Sequence, residues 1–298
     1  DSVPGGIGLT HGLSSLYEKL GFSLVGGERG MLGGCEMAIG HSFGQDARPN
    51  IAIVVSDESE DYRAEMEHVA SEMTKTGWTA RAVRPEQIVF TEDGLFFDEQ
   101  HGGGRIDMLY RFFELFHLKN IPKAELVMYA AKKKRVVVTP PYKPYFEEKS
   151  LLALFHHPML ESEWRGHLGN ESFEILMKAI PNTWILDNRP APPNTIIPDF
   201  RFRDRPVSDW RVIKDASQKE RRLVIKPSGF SPIAWGSRGV VIGHDVSQQE
   251  WATAVENGLS GFDTQPYVLQ PFHEGKRHTV RYYDENTSEL REMSGRVR

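Results

Sequence analysis

The stretch NIAIVVSDES (50–59) constrains the fold of this chain most. An unbroken apolar, β-branched run that ends in a polar turn suits a strand buried on both faces, as in a parallel sheet covered by helices. Next comes DYRAEMEHVASEMTKTG (61–77), with Met66, Val69, Ala70 and Met73 on one face and Gly77 as its stop. That pattern is a crossover helix. Residues 78–83 supply a second strand, RIDMLYRFFELF (105–116) a third that runs into a turn or helix, and KRVVVTPPYKP (134–144) a fourth that ends at prolines. Residues 48–145 are therefore expected to form an open α/β domain. Ligands of such sheets sit beyond the carboxyl ends of the strands.

Composition sets the outer limits. At 298 residues and 39% hydrophobic, the chain can hold one large domain or two ordinary ones, with a real core and no staples. Its single cysteine, Cys35, excludes an intramolecular disulfide and a thiolate zinc site, and points to a reducing, cytoplasmic compartment. A net charge of −5 argues against a basic, nucleic-acid-binding surface. No apolar run reaches the ~18 residues of a membrane span, and the start lacks the layout of a signal peptide, so no membrane partner is expected.

The flanks differ from the middle. Twelve of the 27 glycines lie in the first 44 residues. There PGGIGLTHG (4–12) reads as a turn-forming loop, LSSLYEKLGF (13–22) as a helix with Leu13, Leu16, Tyr17 and Leu20 at helical spacing, and FSLVGGERGMLGG (22–34) as a strand followed by a loop. Beyond 145, FEEKSLLALFHHP (146–158) is an amphipathic helix, and 181–206, with six of the 18 prolines, an extended crossing or junction. Then come a strand at 221–230, a glycine-containing turn and strand at 235–243, and a helix at 247–259 capped by Ser247 with Glu250. Strands at 266–272, 276–285 and 290–298 complete an α+β half that is mostly antiparallel.

Candidate chemistry is sparse. There is no G-x-x-x-x-G-K-[ST], no complete G-x-G-x-x-G, no H-E-x-x-H and no G-x-S-x-G. His156 and His157 point in two directions on a helix and are read as surface or capping residues. LVIKP, ending a strand with Lys226, is followed nine residues after the lysine by WGSRGVVIG. The pair is either a snorkelling lysine beside a hairpin, or a lysine under a small-residue loop whose backbone N–H groups cradle a polyphosphate. YVLQPF offers Gln270 and a strand end that can supply the donor, acceptor and apolar faces adenine needs. Arg281, Arg296 and Arg298 fall on the last strands and read by themselves as exposed edge arginines. Asp107 and Arg111 at the third strand can form a local pair.

The order Lys149, Lys226, the WGSRG loop and YVLQPF resembles the ATP-grasp superfamily, over most of residues 50–298. The resemblance implies that Lys149 and Lys226 contact the nucleotide phosphates. It makes Gly236, Ser237 and Gly239 the phosphate loop, and Gln270, Pro271 and Phe272 the adenine hinge, where many members carry glutamate at the place of Gln270. Such enzymes end the grasp with a Glu-x-Asn metal motif and often a Pro-Gly turn, which residues up to Arg298 lack. DSVPGGIGLT looks like the tail of that motif, with Asp1 at the asparagine place and Pro4-Gly5 as the turn; the plainer reading makes Asp1 an ordinary terminus. That order resembles the circularly permuted members, relatives of the glutathionylspermidine synthase and glutathione synthetase group, whose other metal carboxylates would precede Asp1 in a longer chain. Three parts follow: 1–47 as a glycine-rich piece of the grasp core, 48–145 as the preceding α/β domain, and 146–298 as the nucleotide-binding domain.

The activity implied is an ATP-dependent carboxylate–amine ligase. ATP with Mg²⁺ converts a small-molecule or peptide carboxylate to an acyl phosphate, which an amine then displaces. Arg281, Arg296 and Arg298 would be catalytic, Asp1 a metal ligand, and Gly5, Gly6, Asp107 and Arg111 would border the substrate. Two rivals stand beside it: a nucleotide-binding or assembly module that kept the grasp fold without turnover, and a sugar- or nucleotide-transferring enzyme using the α/β layer as its donor site.

Overall fold

The structure is a computed structural model that describes all residues except 1, 2, 45, 46, 191, 193, 235, 297 and 298. It is mixed α/β, with one parallel and several antiparallel sheets, in two compact units, 1–148 and 149–298. Asp1 and Arg298 lie outside the described residues. Among the described residues no helix is long and apolar enough to cross a membrane.

In the first unit, strands β1 (Asn50–Val55), β2 (Thr79–Val83), β6 (Met108–Phe112) and β7 (Val137–Thr139) form a parallel sheet in the order β2-β1-β6-β7. Helix α3 (Arg63–Lys75) links β1 to β2, and α4 (Ala124–Lys132) links β6 to β7. Side chains of β1 alternate between two cores. Ile51, Ile53 and Val55 pack with Met66, Val69 and Met73 of α3, whereas Ala52 and Val54 pack with Val127 and Ala130 of α4. A small antiparallel sheet, β3 (Ile88–Thr91), β4 (Gly94–Phe97) and β5 (Arg105–Ile106), closes the α4 side. The continuous apolar run has the physical cause expected of it: both faces are covered.

The glycine-rich start departs from expectation. Residues 4–12 are not a loop but enter helix α1 (Ile7–Lys19), and 22–34 give no strand but lead into helix α2 (Gly30–His41). The Leu13–Leu20 stripe does not form the buried face: Gly8 and Ser14 are buried, while Leu16 and Leu20 are exposed. A Cβ on Gly8 would stand 2.7 Å from Glu65 Cγ and 2.9 Å from Glu65 O, so α1 approaches α3 at a distance only glycine permits. From α2, Leu32 and Ile39 enter the same core as β1. The described residues of segment 1–47, expected to complete the nucleotide-binding core, thus pack within the first unit, on α3.

The second unit begins with three helices, α5 (Ser150–Phe155), α6 (Glu161–Leu168) and α7 (Asn170–Ala179). Its sheet is antiparallel, β12-β11-β13-β8, from β8 (Trp184–Ile185), β11 (Leu223–Pro227), β12 (Val241–Ile242) and β13 (Tyr267–Pro271). A short hairpin, β9 (Arg201–Phe202) with β10 (Arg205–Pro206), lies in the proline-rich stretch. Helix α8 (Gln248–Ser260) opens with the expected capping box, Ser247 Oγ accepting from Glu250 N and Glu250 Oε2 from Ser247 N. It covers one sheet face, where Trp251, Val255 and Leu259 meet Ile225 and Leu269. The last strands, β14 (His278–Asp284) and β15 (Glu289–Gly295), form a separate, largely exposed hairpin.

Candidate functional site

Alternation along β11 and β13 decides where the lysine goes. Ile225 and Leu269 are register partners and face α8. Their neighbours Val224, Lys226, Val268 and Gln270 consequently share the opposite face, in the pairs Val224–Gln270 and Lys226–Val268. There Lys226 Nζ donates to Gln270 Oε1 at 2.8 Å, and Gln270 Nε2 donates to Thr183 Oγ1 at 2.8 Å. Gln270 and Thr183 are buried, so this chain satisfies both ends of the amide inside the protein.

Lys149 arrives from the start of α5. The buried Ser228, two residues past Lys226, accepts from Lys149 N at 2.8 Å and from Lys149 Nζ at 3.3 Å through its carbonyl, and from Ser150 N at 2.9 Å through Oγ. One serine therefore ties α5 to the end of β11 and sets the two lysines side by side. Burial first, and then the Lys149 charge, hold the Lys226 ammonium below its ordinary pKa. Two like charges drawn together and partly stripped of water make a place where an anion is favoured. The glycine loop meets the same strand end at Pro227. A Cβ on Gly239 would fall 2.4 Å from Pro227 Cγ and 2.8 Å from Ile233 O, so the loop folds against the residue that follows Lys226. Gly236 and Ser237 are exposed with left-handed φ of 60° each, and Val240 N closes the turn onto Ser237 O at 3.1 Å.

Other expected residues are placed differently. Phe272 packs edge-on against His244 at 4.5 Å and its N–H goes to Arg222 O, while Pro271 pairs with Leu223. A cavity of about 670 Å³ runs along α5 and β8, lined by His156, Thr183, Trp184, Asp187 and Trp210 among others. Thr183, which accepts from Gln270, is among its lining residues, whereas Lys149, Lys226 and Gln270 are not. Arg281 donates to Glu292 across the exposed hairpin, and Arg296 to Gly275 O and Glu274. These partners are exposed surface groups.

In the first unit, Asp107 sits at the entering edge of the parallel sheet, where Oδ2 accepts from Asn50 N at 2.9 Å. That is the edge away from the carboxyl ends at which such sheets bind ligands. Arg111 has no exposed surface and forms no local pair with Asp107. It donates to the carbonyls of Phe113, Pro140 and Pro141 and pairs with buried Glu147 at 2.7 Å. Arg111 is thus an internal fastener with no surface to offer a substrate, contrary to expectation, and Asp107 tethers the start of β1. Gly5 and Gly6 also have structural work: a Cβ on Gly5 would lie 2.2 Å from Tyr62 Cε1, and Gly6 N with Gly8 N donates to Glu65 Oε1 at 2.7 and 2.9 Å.

Sequence reasoning missed Ser228, Thr183 and Glu147. Ser228 carried a usable signal, a small hydroxyl just past a strand-ending Lys-Pro. Thr183 and Glu147 lie 87 and 36 positions from the groups they serve, and no local pattern announces them. The chain matches no protein-family model and no curated protein, so the site's own chemistry carries the functional argument.

Proposed function

We propose that the chain is an ATP-dependent carboxylate–amine ligase of the circularly permuted ATP-grasp kind, with the second unit as its nucleotide-binding part. The supporting observation is the convergence of Lys149 and Lys226 beside Ser228, with a glycine loop packed on Pro227 at the same strand end. Partly desolvated paired ammonium groups suit a triphosphate, which fits this donor set. In this reading Lys149 and Lys226 hold the α- and β-phosphates. The exposed backbone of Gly236 and Ser237 covers the γ-phosphate, and the strand end at Gln270–Phe272 reads the base.

ATP supplies the phosphoryl group. A carboxylate oxygen attacks the γ-phosphorus and ADP leaves; an amine nitrogen then attacks the acyl carbon, phosphate departs, and the amine proton passes to solvent. Positioning and charge neutralisation carry such a transfer, with no covalent help from the protein. Asp1, the expected Mg²⁺ ligand, lies outside the described residues.

One observation favours a second reading, a nucleotide-binding module without turnover. Arg281 and Arg296 are engaged by Glu292 and Glu274 on the surface, and stabilising a phosphoryl group requires their release. Coupled assay of ADP and phosphate release, with Mg-ATP and panels of amino-acid and peptide carboxylates plus amines, separates the two. Release that needs both acceptors and is lost in Lys226→Ala supports the ligase. Saturable ATP binding with release at background supports the module.

A further inference from the structure

The first unit gathers a second cluster that the lysine site does not use. His11 of α1 and His68 and Glu72 of α3 bring one ligand atom each within 4.8 Å of one another. His68 and Glu72 are four positions apart and share a helix face. The close approach at Gly8 brings α1 against that face, and His68 Nε2 is the one atom a Cβ on Gly12 would meet.

Hydrogen bonding orients the donors. His11 Nδ1 lies 3.3 Å from Glu28 O, and a carbonyl only accepts, so Nδ1 carries the proton. His11 Nε2 then faces Glu72 Oε2 at 3.4 Å. Lys75 takes the other oxygen of Glu72, leaving Oε2 to the cluster. His68 Nε2 is buried without a hydrogen-bond partner. A plain His11–Glu72 ion pair leaves that nitrogen orphaned, whereas a buried polar atom normally has a partner.

We propose that His11 Nε2, His68 Nε2 and the Glu72 carboxylate bind a divalent transition-metal ion of the Zn²⁺ class, clipping α1 onto α3. Two imidazoles and a carboxylate suit Zn²⁺, and bonds near 2.0–2.1 Å imply a ligand-to-ligand edge of about 3.3 Å in a tetrahedron. The His11–Glu72 separation of 3.4 Å matches that edge. A backbone carbonyl on the far ring nitrogen is the usual outer support of a metal-bound histidine. Water completes the fourth position. The site is independent of the nucleotide reading.

The test uses the whole chain freed of metal by chelation. Calorimetric titration with Zn²⁺ is expected to give one saturable equivalent and a higher melting temperature, and Co²⁺ to give the visible absorption of a tetrahedral N/O site. Cys35→Ser and the His156→Ala/His157→Ala pair keep both signals. His68→Ala and the near-isosteric Glu72→Gln, each with an unchanged far-ultraviolet circular dichroism spectrum, lose them; His11→Gln, on the other helix, repeats the test if His68→Ala does not fold. Absence of saturable binding at micromolar metal, retention of the equivalent in His68→Ala or Glu72→Gln, or its loss in Cys35→Ser would each overturn the proposal.

Discussion

At the scale of single residues, Lys226 carries a double penalty in the free protein, from burial and from Lys149. Its folded pKa lies below the unfolded value of about 10.4. Between those two values the unfolded chain binds more protons, so this lysine's contribution to stability rises with pH, and the penalty is complete below the folded value. A bound polyphosphate reverses the shift. ATP binding is accordingly predicted to take up protons on the alkaline side, with affinity falling as pH rises through the lowered pKa. Calorimetry in buffers of different ionisation enthalpy measures this, and proton release on binding contradicts it. Arg111 makes a different prediction. Glu147→Ala leaves a guanidinium with no exposed surface unpaired, which should cost about 3–5 kcal/mol of unit stability in denaturant titrations. A loss under about 1 kcal/mol would show that the three carbonyls alone satisfy it.

At the scale of elements, the capping box of α8 and the glycine contacts of α1 are the joints that sequence alone dictates most differently. Ser247→Ala removes a cap read directly from S-Q-Q-E and should cost about 1 kcal/mol by thermal or chemical unfolding. That helix, the strand run 50–55 and the α3 stripe were legible because their patterns are local and their burial follows their period. The glycine-rich helices were not legible. Helix propensity discounts Gly, yet Gly8 at α1 and Gly30, whose Cβ would stand 2.6 Å from Val25 O, are there because neighbouring backbone comes so close. The apolar stripe Leu16–Leu20 was misleading for the converse reason: its face is exposed and the buried face is made of small residues. In the candidate site, Lys226, Gln270 and the loop could be read from strand ends and glycines. The fate of Arg111 could not, because its partner depends on how distant segments cross. Gly8→Ala is predicted to push α1 off α3, seen as faster amide exchange in α1 while β1 stays protected; unchanged exchange contradicts the close-approach account.

At the scale of the molecule, the units have separate cores, two on the faces of the β1–β6 sheet in one and a third on β11 and β13 in the other. Trp251, fully buried beneath β11, should cost about 3–5 kcal/mol when cut to alanine. Loss of exchange protection is predicted in β11 and β13 and not in β1; equal loss in both would mean that the units unfold as one. The proposed chemistry rests on the second unit and on one arrangement, the lysine pair at the end of β11. Calorimetric titration of the whole chain with Mg-ATP tests it most directly, comparing wild type with Lys226→Ala and Lys149→Ala, both checked for native circular dichroism. A phosphate-bound lysine contributes about 1.5–3 kcal/mol, so each substitution should weaken binding roughly 10- to 100-fold, whereas wild-type affinity in both variants would contradict the account.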